Sequence, residues 1–297
     1  MELPPPAYLF ISFIILIFSS QRTLTQDPAC RNTCNSLQIK YPFGTGPGCG
    51  SPLFHPYITC TSSGGGGGDQ LILKTHTGSY PITSISYTTS TLTINPPYMS
   101  TCTSMQNSPN LGLDWASPFQ IGPSTFILLD CQPPTSSMTT TKNTPLCDPS
   151  YSFLCASIYT CPDVVSLGLP LFPPTNTCCV YSPANLNEKG ELDLRALKCG
   201  AYTSAASLGE YPIDPVKWVY GVVLKYTYGT LDNNVVDSKC KGCEISGGVC
   251  GYNPSGNSFI CVCGNGLNSS LDCFNYGLNQ VYGWSTNSSV HLLTRNI

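Results

Sequence analysis

The stretch CNSLQIKYPFGTGPGCGSPLFHPYITC, residues Cys34–Cys60, decides how this chain is read. It crowds three cysteines and four prolines among alternating glycines. Pro42 keeps Tyr41 extended, because the proline ring clashes with a helical residue before it. Gly44, next to the bulky Phe43, can supply a positive φ that a residue with a Cβ would resist. Such a segment belongs to turns and short strands held by disulfides.

Working outward, the chain has 18 cysteines, all after residue 29. Their spacing is irregular and shows no repeated Cys-His set, so no tetrahedral metal site is expected, and no cofactor. Disulfides persist in oxidising compartments, so the pattern points outside the cell. Ala7–Phe18 (AYLFISFIILIF) is an apolar run interrupted only by Ser12. It is shorter than the roughly 20 residues that span a bilayer, and small or polar residues follow it. Residues 1–26 therefore read as a signal peptide of a secreted, extracellular protein. The n-region carries Glu2 and no Lys or Arg, which keeps open the alternative of a membrane anchor through an uncleaved N-terminal segment. No second apolar run follows, and the tail from 274 to 297 is polar. Asn268 and Asn287 open glycosylation sequons.

Charged residues make up 10% of the chain and net charge is −3, against a usual charged share of about 25%. With no Lys/Arg cluster, no nucleic-acid partner is expected, and anionic lipid is a poor candidate. Surfaces built from hydroxyls, amides and rings suit sugars.

Thr91-Leu92-Thr93-Ile94 alternates with period two, as a half-buried strand does, and Gln70–Thr75 and Thr125–Leu129 are apolar runs of strand length. The Gly64–Gly68 run reads as a hairpin tip. The segment 132–146 (QPPTSSMTTTKNTPL) has little to bury and reads as a linker. It separates a domain at 27–131 from a cysteine-rich domain at 147–273. Asn185–Leu197, with four leucines among charges, reads as a helix, and Trp218–Tyr228 as the strongest strand. The expected fold class is mainly β and disulfide-rich: two small extracellular domains, with short helices in the second. Six cysteines precede the linker and twelve follow it. Disulfides should therefore close within each domain.

A second stretch, CKGCEISGGVCGYNPSGNSFICVC at Cys240–Cys263, joins the first in carrying a family resemblance. Ile39-Lys40-Tyr41-Pro42-Phe43-Gly44 with Cys49-Gly50 resembles the galacturonan-binding domain of plant wall-associated receptor kinases. Cys240-x-x-Cys243, Ser246-Gly247-Gly248-x-Cys250-Gly251 and Phe259-x-Cys261-x-Cys263 resemble the C-terminal module beside it. Together they span nearly all of the chain after residue 29. The family opening Cys-Gly is Cys34-Asn35 here, and no membrane span or kinase follows, so the chain resembles a free-standing ectodomain. Within the first motif, Cys49–Cys60 is the expected bridge. Adjacent Cys178 and Cys179 should reach different partners. The Cys240-x-x-Cys243 pair reads as structural, because no thioredoxin-like context surrounds it.

Catalysis finds little footing. His55, His76 and His291 are scattered, and Glu191 and Asp193 sit on what reads as an exposed helix. The resemblance implies binding of pectin, that is homogalacturonan, with calcium able to bridge polymer chains without a protein site. A polyanion calls for cations against carboxylates and rings against sugar faces. Candidate residues are Arg31, Lys40, Tyr41, Lys74 and His76. The first domain holds few cations and four opposing aspartates, including Asp69 and Asp114. A rival reading therefore stands beside the first: a protein-interaction module, acting as co-receptor or decoy for a receptor-like partner, without sugar affinity of its own.

Overall fold

The computed structural model describes residues 30–62, 68–139, 144–181, 191–227, 233–264 and 266–274. The apolar N-terminus, Gly64–Gly67, Asn287 and His291 lie outside the described residues. The strands run β1 (Thr33–Cys34), β2 (Leu37–Gln38), β3 (Ile58–Ser62), β4 (Asp69–Thr75), β5 (Gly78–Ser86), β6 (Thr91–Ile94), β7 (Leu111–Gly112), β8 (Phe119–Ile121) and β9 (Thr125–Cys131). After helix α1 (Ser152–Ile158) come β10 (Cys179–Tyr181), β11 (Glu191–Leu192), β12 (Cys199–Ser207), β13 (Val219–Tyr220) and β14 (Val222–Tyr226). Helix α2 (Asn233–Ile245) leads into β15 (Val249–Tyr252), β16 (Phe259–Val262) and β17 (Asn268–Ser269).

The protein is mainly β and disulfide-rich, with short helices in the second half of the chain. A six-stranded sheet has the order β3-β4-β5-β6-β14-β8, and a four-stranded sheet the order β10-β9-β12-β13. Both sheets join strands from the two sides of 132–146. In the first, Val222 to Lys225 of β14 pair with Ile94 to Thr91 of β6; in the second, β9 is flanked by β10 and β12. The division at 132–146 therefore does not hold as a fold boundary. The segment is poor in apolar residues, but the strands beside it have buried edges that need partners, and they find them across it.

All eighteen cysteines are bridged. Cys102–Cys161 and Cys131–Cys199 cross the expected boundary, contrary to closure within domains. Cys131 and Cys199 are register partners on β9 and β12, so the strand pairing itself brings them together. Cys49–Cys60 also does not form: the pairs are Cys30–Cys49 and Cys34–Cys60. Arg31 bonds Asp69 on β4 and so draws the N-terminal segment over the β3–β4 hairpin, where Cys34 meets Cys60. Cys178 and Cys179 do reach different partners, Cys155 and Cys147. Cys240 and Cys243 bond Cys250 and Cys261 rather than each other, as structural bridges do.

Of the helix expected at Asn185–Leu197, the described part, residues 191–197, is not helical. Residues 182–190 lie outside the described residues; Glu191–Leu192 is strand β11, paired with β7. Beyond it the Asp193 carboxylate accepts the backbone N–H groups of Arg195 and Ala196, fixing a turn instead. The strand expected at Trp218–Tyr228 is broken at Gly221, whose φ is +152° and where a Cβ would press on Thr93.

The main core runs through both halves of the chain. Phe43 meets Phe54 edge-on with ring centroids 5.3 Å apart and Tyr226 at 4.7 Å, and Phe54 meets Phe119 at 5.5 Å. Edge-to-face pairs of this kind add to area burial. A second cluster packs Leu154, Ile158 and Trp218 against Ile127 and Leu129 on the far face of β9. The third core is almost all disulfide, formed by the bridges of the C-terminal module with Tyr41 against them.

Candidate binding cleft

The Tyr-Pro-Phe-Gly turn is a docking element as well as a core element. Phe43 is buried, and the Tyr41–Pro42 peptide is cis. Gly44 does not adopt the positive φ expected of it; it is needed for space, because a Cβ there would run into the Cys49 carbonyl. Gly50 faces it with φ +67°, and a Cβ on Gly50 would meet the Phe43 carbonyl carbon at 2.5 Å. The two glycines let the turn fold flat on Cys49-Gly50. That exposes one backbone edge, and the second motif uses it. Cys49 bridges to Gly251 as an isolated β-pair, Gly50 N–H donates to Cys250 O at 2.8 Å, and Tyr252 N–H donates to Gly48 O at 2.8 Å. The Cys-Gly of one motif thus pairs with the Cys-Gly of the other.

Beside this junction Tyr41 N–H donates to Glu244 Oε1 at 3.1 Å. A cleft of about 340 Å³ opens there between Asn32–Lys40 on one wall and Lys241–Val249 on the other. An adjoining hollow of about 210 Å³ runs past Tyr41, Tyr87 and Asp237. Lys40, Lys241 and Glu244 border both. Tyr87 braces the first wall: its hydroxyl accepts Lys40 N–H at 2.8 Å and donates to Gln38 O at 3.0 Å. Burial pushes this phenol well above its ordinary range, the Lys40 hydrogen bond opposing it. Tyr87 is therefore a fixed neutral strut. The cleft offers two ammonium groups, two carboxylates, the amides of Asn32 and Gln38 and aromatic edges, a donor set suited to a polar, ring-bearing ligand.

Of the residues singled out from sequence, Lys40 is exposed and Tyr41 half-buried at this cleft. Arg31 is elsewhere engaged, 2.6 Å from Asp69 Oδ2. The Ser62 hydroxyl first, and Arg31 second, hold the Asp69 carboxyl below the usual carboxylate range. His76 Nδ1 lies 2.6 Å from Asp114 Oδ1, which also accepts the His76 backbone N–H. Lys74 is exposed on β4, in the strand leading to that pair rather than on the cleft. The five candidates thus fall in three places. Sequence reading missed Lys241, Glu244 and Tyr87. Lys241 stood between Cys240 and Cys243, a position that announces exposure but gives no sign of what it faces.

Comparison with known proteins accounts for both walls. Residues 30–96 match the family described as wall-associated receptor kinase galacturonan-binding, and residues 196–266 the family described as wall-associated receptor kinase C-terminal. The chain is similar to wall-associated receptor kinase-like 20 of Arabidopsis thaliana, 36% identical over 109 residues. That match covers 35% of this chain and 15% of the relative, so the chain spans a small part of the relative's length. No solved structure matches. Both matched modules are ectodomain modules rather than catalytic ones. Carrying both in order, the chain is similar, over those two spans, to the extracellular modules of wall-associated receptor kinase-like proteins.

Proposed function

We propose that this protein is exported to the cell wall and binds homogalacturonan there through the cleft at Lys40 and Tyr41. The observation that carries the reading is one of position. Within the 30–96 span matched to the galacturonan-binding family, Arg31 and His76 are tied to aspartates, whereas Lys40 stands exposed at the mouth of a polar cleft. An ammonium can meet a uronate carboxylate there while Tyr41 offers a ring to the sugar face. Calcium enters by cross-linking polymer chains, and the protein supplies no catalysis.

The test is retention of the purified chain on immobilised de-esterified galacturonan. Retention should weaken between low and physiological salt, since exposed charges are screened beyond about 8–10 Å. Lys40→Glu should weaken it, and Lys225→Glu, on the exposed face of β14, should not. A chain that stays unbound at low salt, with and without calcium, sinks the reading. The rival, a co-receptor or decoy that binds protein alone, then takes its place. The same two ion pairs favour that rival, because they leave the module few cations for a polyanion. Export through cleavage after Ala7–Phe18 is checked by the N-terminal sequence of protein recovered from the wall. Intact Met1 in a membrane fraction would show the anchored form instead. Mass spectrometry of the same material shows whether Asn268, which is exposed, and Asn287 carry glycans.

A further inference from the structure

We propose that the polysaccharide site is composite: the C-terminal module supplies a second ligand-binding cation, Lys241 on α2, which acts with Lys40 across the cleft. This rests on the polysaccharide reading above and places half of the site outside the span matched to the galacturonan-binding family.

Both lysines are exposed, and both border the cleft and its adjoining hollow. Among the described residues neither ammonium takes part in an ion pair, although Glu244 borders the same cleft. Glu244 directs Oε1 to the Tyr41 N–H, so its carboxylate serves the junction of the walls. The walls are held in fixed register by the Gly50–Cys250 and Tyr252–Gly48 hydrogen bonds beside the Cys49–Gly251 pair. Two cations on a frame of this kind suit a ligand that repeats its negative charge along a chain. A homogalacturonan strand carries a carboxylate on every unesterified sugar, so a strand laid in the cleft brings charge to each wall. Each contact is weak alone, but on one rigid frame the second forms intramolecularly once the first is made. A ligand that bridges the walls also stabilises their docking, by the same free energy with which docking favours the ligand.

The experiment uses the full chain and galacturonan oligomers freed of methyl ester, titrated at low salt. Lys40→Glu and Lys241→Glu should each weaken binding by about five- to tenfold, as reversal of an exposed charge contact does. Lys241→Gln should fall between Lys241→Glu and the wild type, and Lys225→Glu should match the wild type. Amide exchange at Gly50 and Tyr252 should slow when oligomer is added, and Lys241→Glu should reduce that protection. Exchange without ligand serves as the fold control for each variant. If Lys241→Glu binds as the wild type does while Lys40→Glu loses affinity, the composite site is overturned and the polysaccharide reading stands. If the wild type binds no oligomer, both are overturned.

Discussion

Glycine carries much of the specificity of this protein at the residue scale. A Cβ on Gly251 would collide with the Gly48 carbonyl, and one on Gly248 would sit 2.5–2.8 Å from the sulfurs of Cys261, Cys273 and Cys243. Backbone and disulfide sulfur have no rotamer with which to yield. Gly251→Ala should therefore cost about 1–3 kcal/mol, the range for overpacking, and lower the melting temperature. Gly256→Ala, with open space around it, should leave the melting temperature unchanged. Two aspartates make opposite contributions with pH. Asp69 has a folded-state pKa below its unfolded value, so its stabilisation is present above that unfolded value and is lost as pH falls through the folded one. Asp130 is raised by burial, so its charged form works against folding at neutral pH. Asp130→Asn should raise the melting temperature at pH 7, and the gain should vanish in acid. Asparagine also tolerates the φ of +52° found there. Asp69→Asn should lower the melting temperature at pH 7 and lose its effect in acid. Melting curves of the two variants from pH 3 to pH 7 check both signs.

At the scale of the element, β9 is the strand on which the halves converge. It is paired on both sides, and Phe126, Ile127, Leu128 and Leu129 are all inaccessible to solvent. Leu128→Ala should cost about 2–5 kcal/mol, as cavities in close-packed cores do, whereas Ile213→Ala, 72% exposed, should move the denaturation midpoint little. Strands such as Thr91–Ile94 and Thr125–Leu129 were legible because period and apolar content are local properties. The segment ending at Leu197 was not, because Leu192 and Leu194 belong to a strand end and a turn. The partners that fix those two, Leu111 in β7 and the Asn110 side chain, lie some 80 residues away. The Cys-Gly dipeptides were legible as motifs, and their contact with each other was not. The candidate site was half legible for the same reason: Lys40 and Tyr41 fall inside a motif, but only the tertiary junction tells which lysine of the other module stands opposite.

For the whole molecule, the crossing bridges and shared sheets make 27–131 a poor candidate for an independent unit. Expressed alone, it would lack the partners of Cys102 and Cys131 and the strand that covers β6. It should show free thiols and poor amide dispersion, whereas the full chain should show neither. A well-dispersed spectrum from the fragment would count against the interleaved fold. The segment Cys240–Cys273 stands apart from this interleaving. Among the described residues, no disulfide joins it to the rest; its docking rests on the Cys49-Gly50 and Cys250-Gly251 edge, the Glu244 contact and the packing of Tyr41 and His55 against it. A pull applied at Cys273 against a polymer gripping the other wall would load that edge. The two backbone bonds would give way before any covalent staple, and three bridges lock the chain from Cys240 to Cys273. Only the fourteen residue steps from Tyr226 to Cys240 could then pay out, roughly 50 Å at full stretch. The junction would behave as a short, reversible tension fuse, visible in single-molecule pulling as one small step well before the β-body unravels.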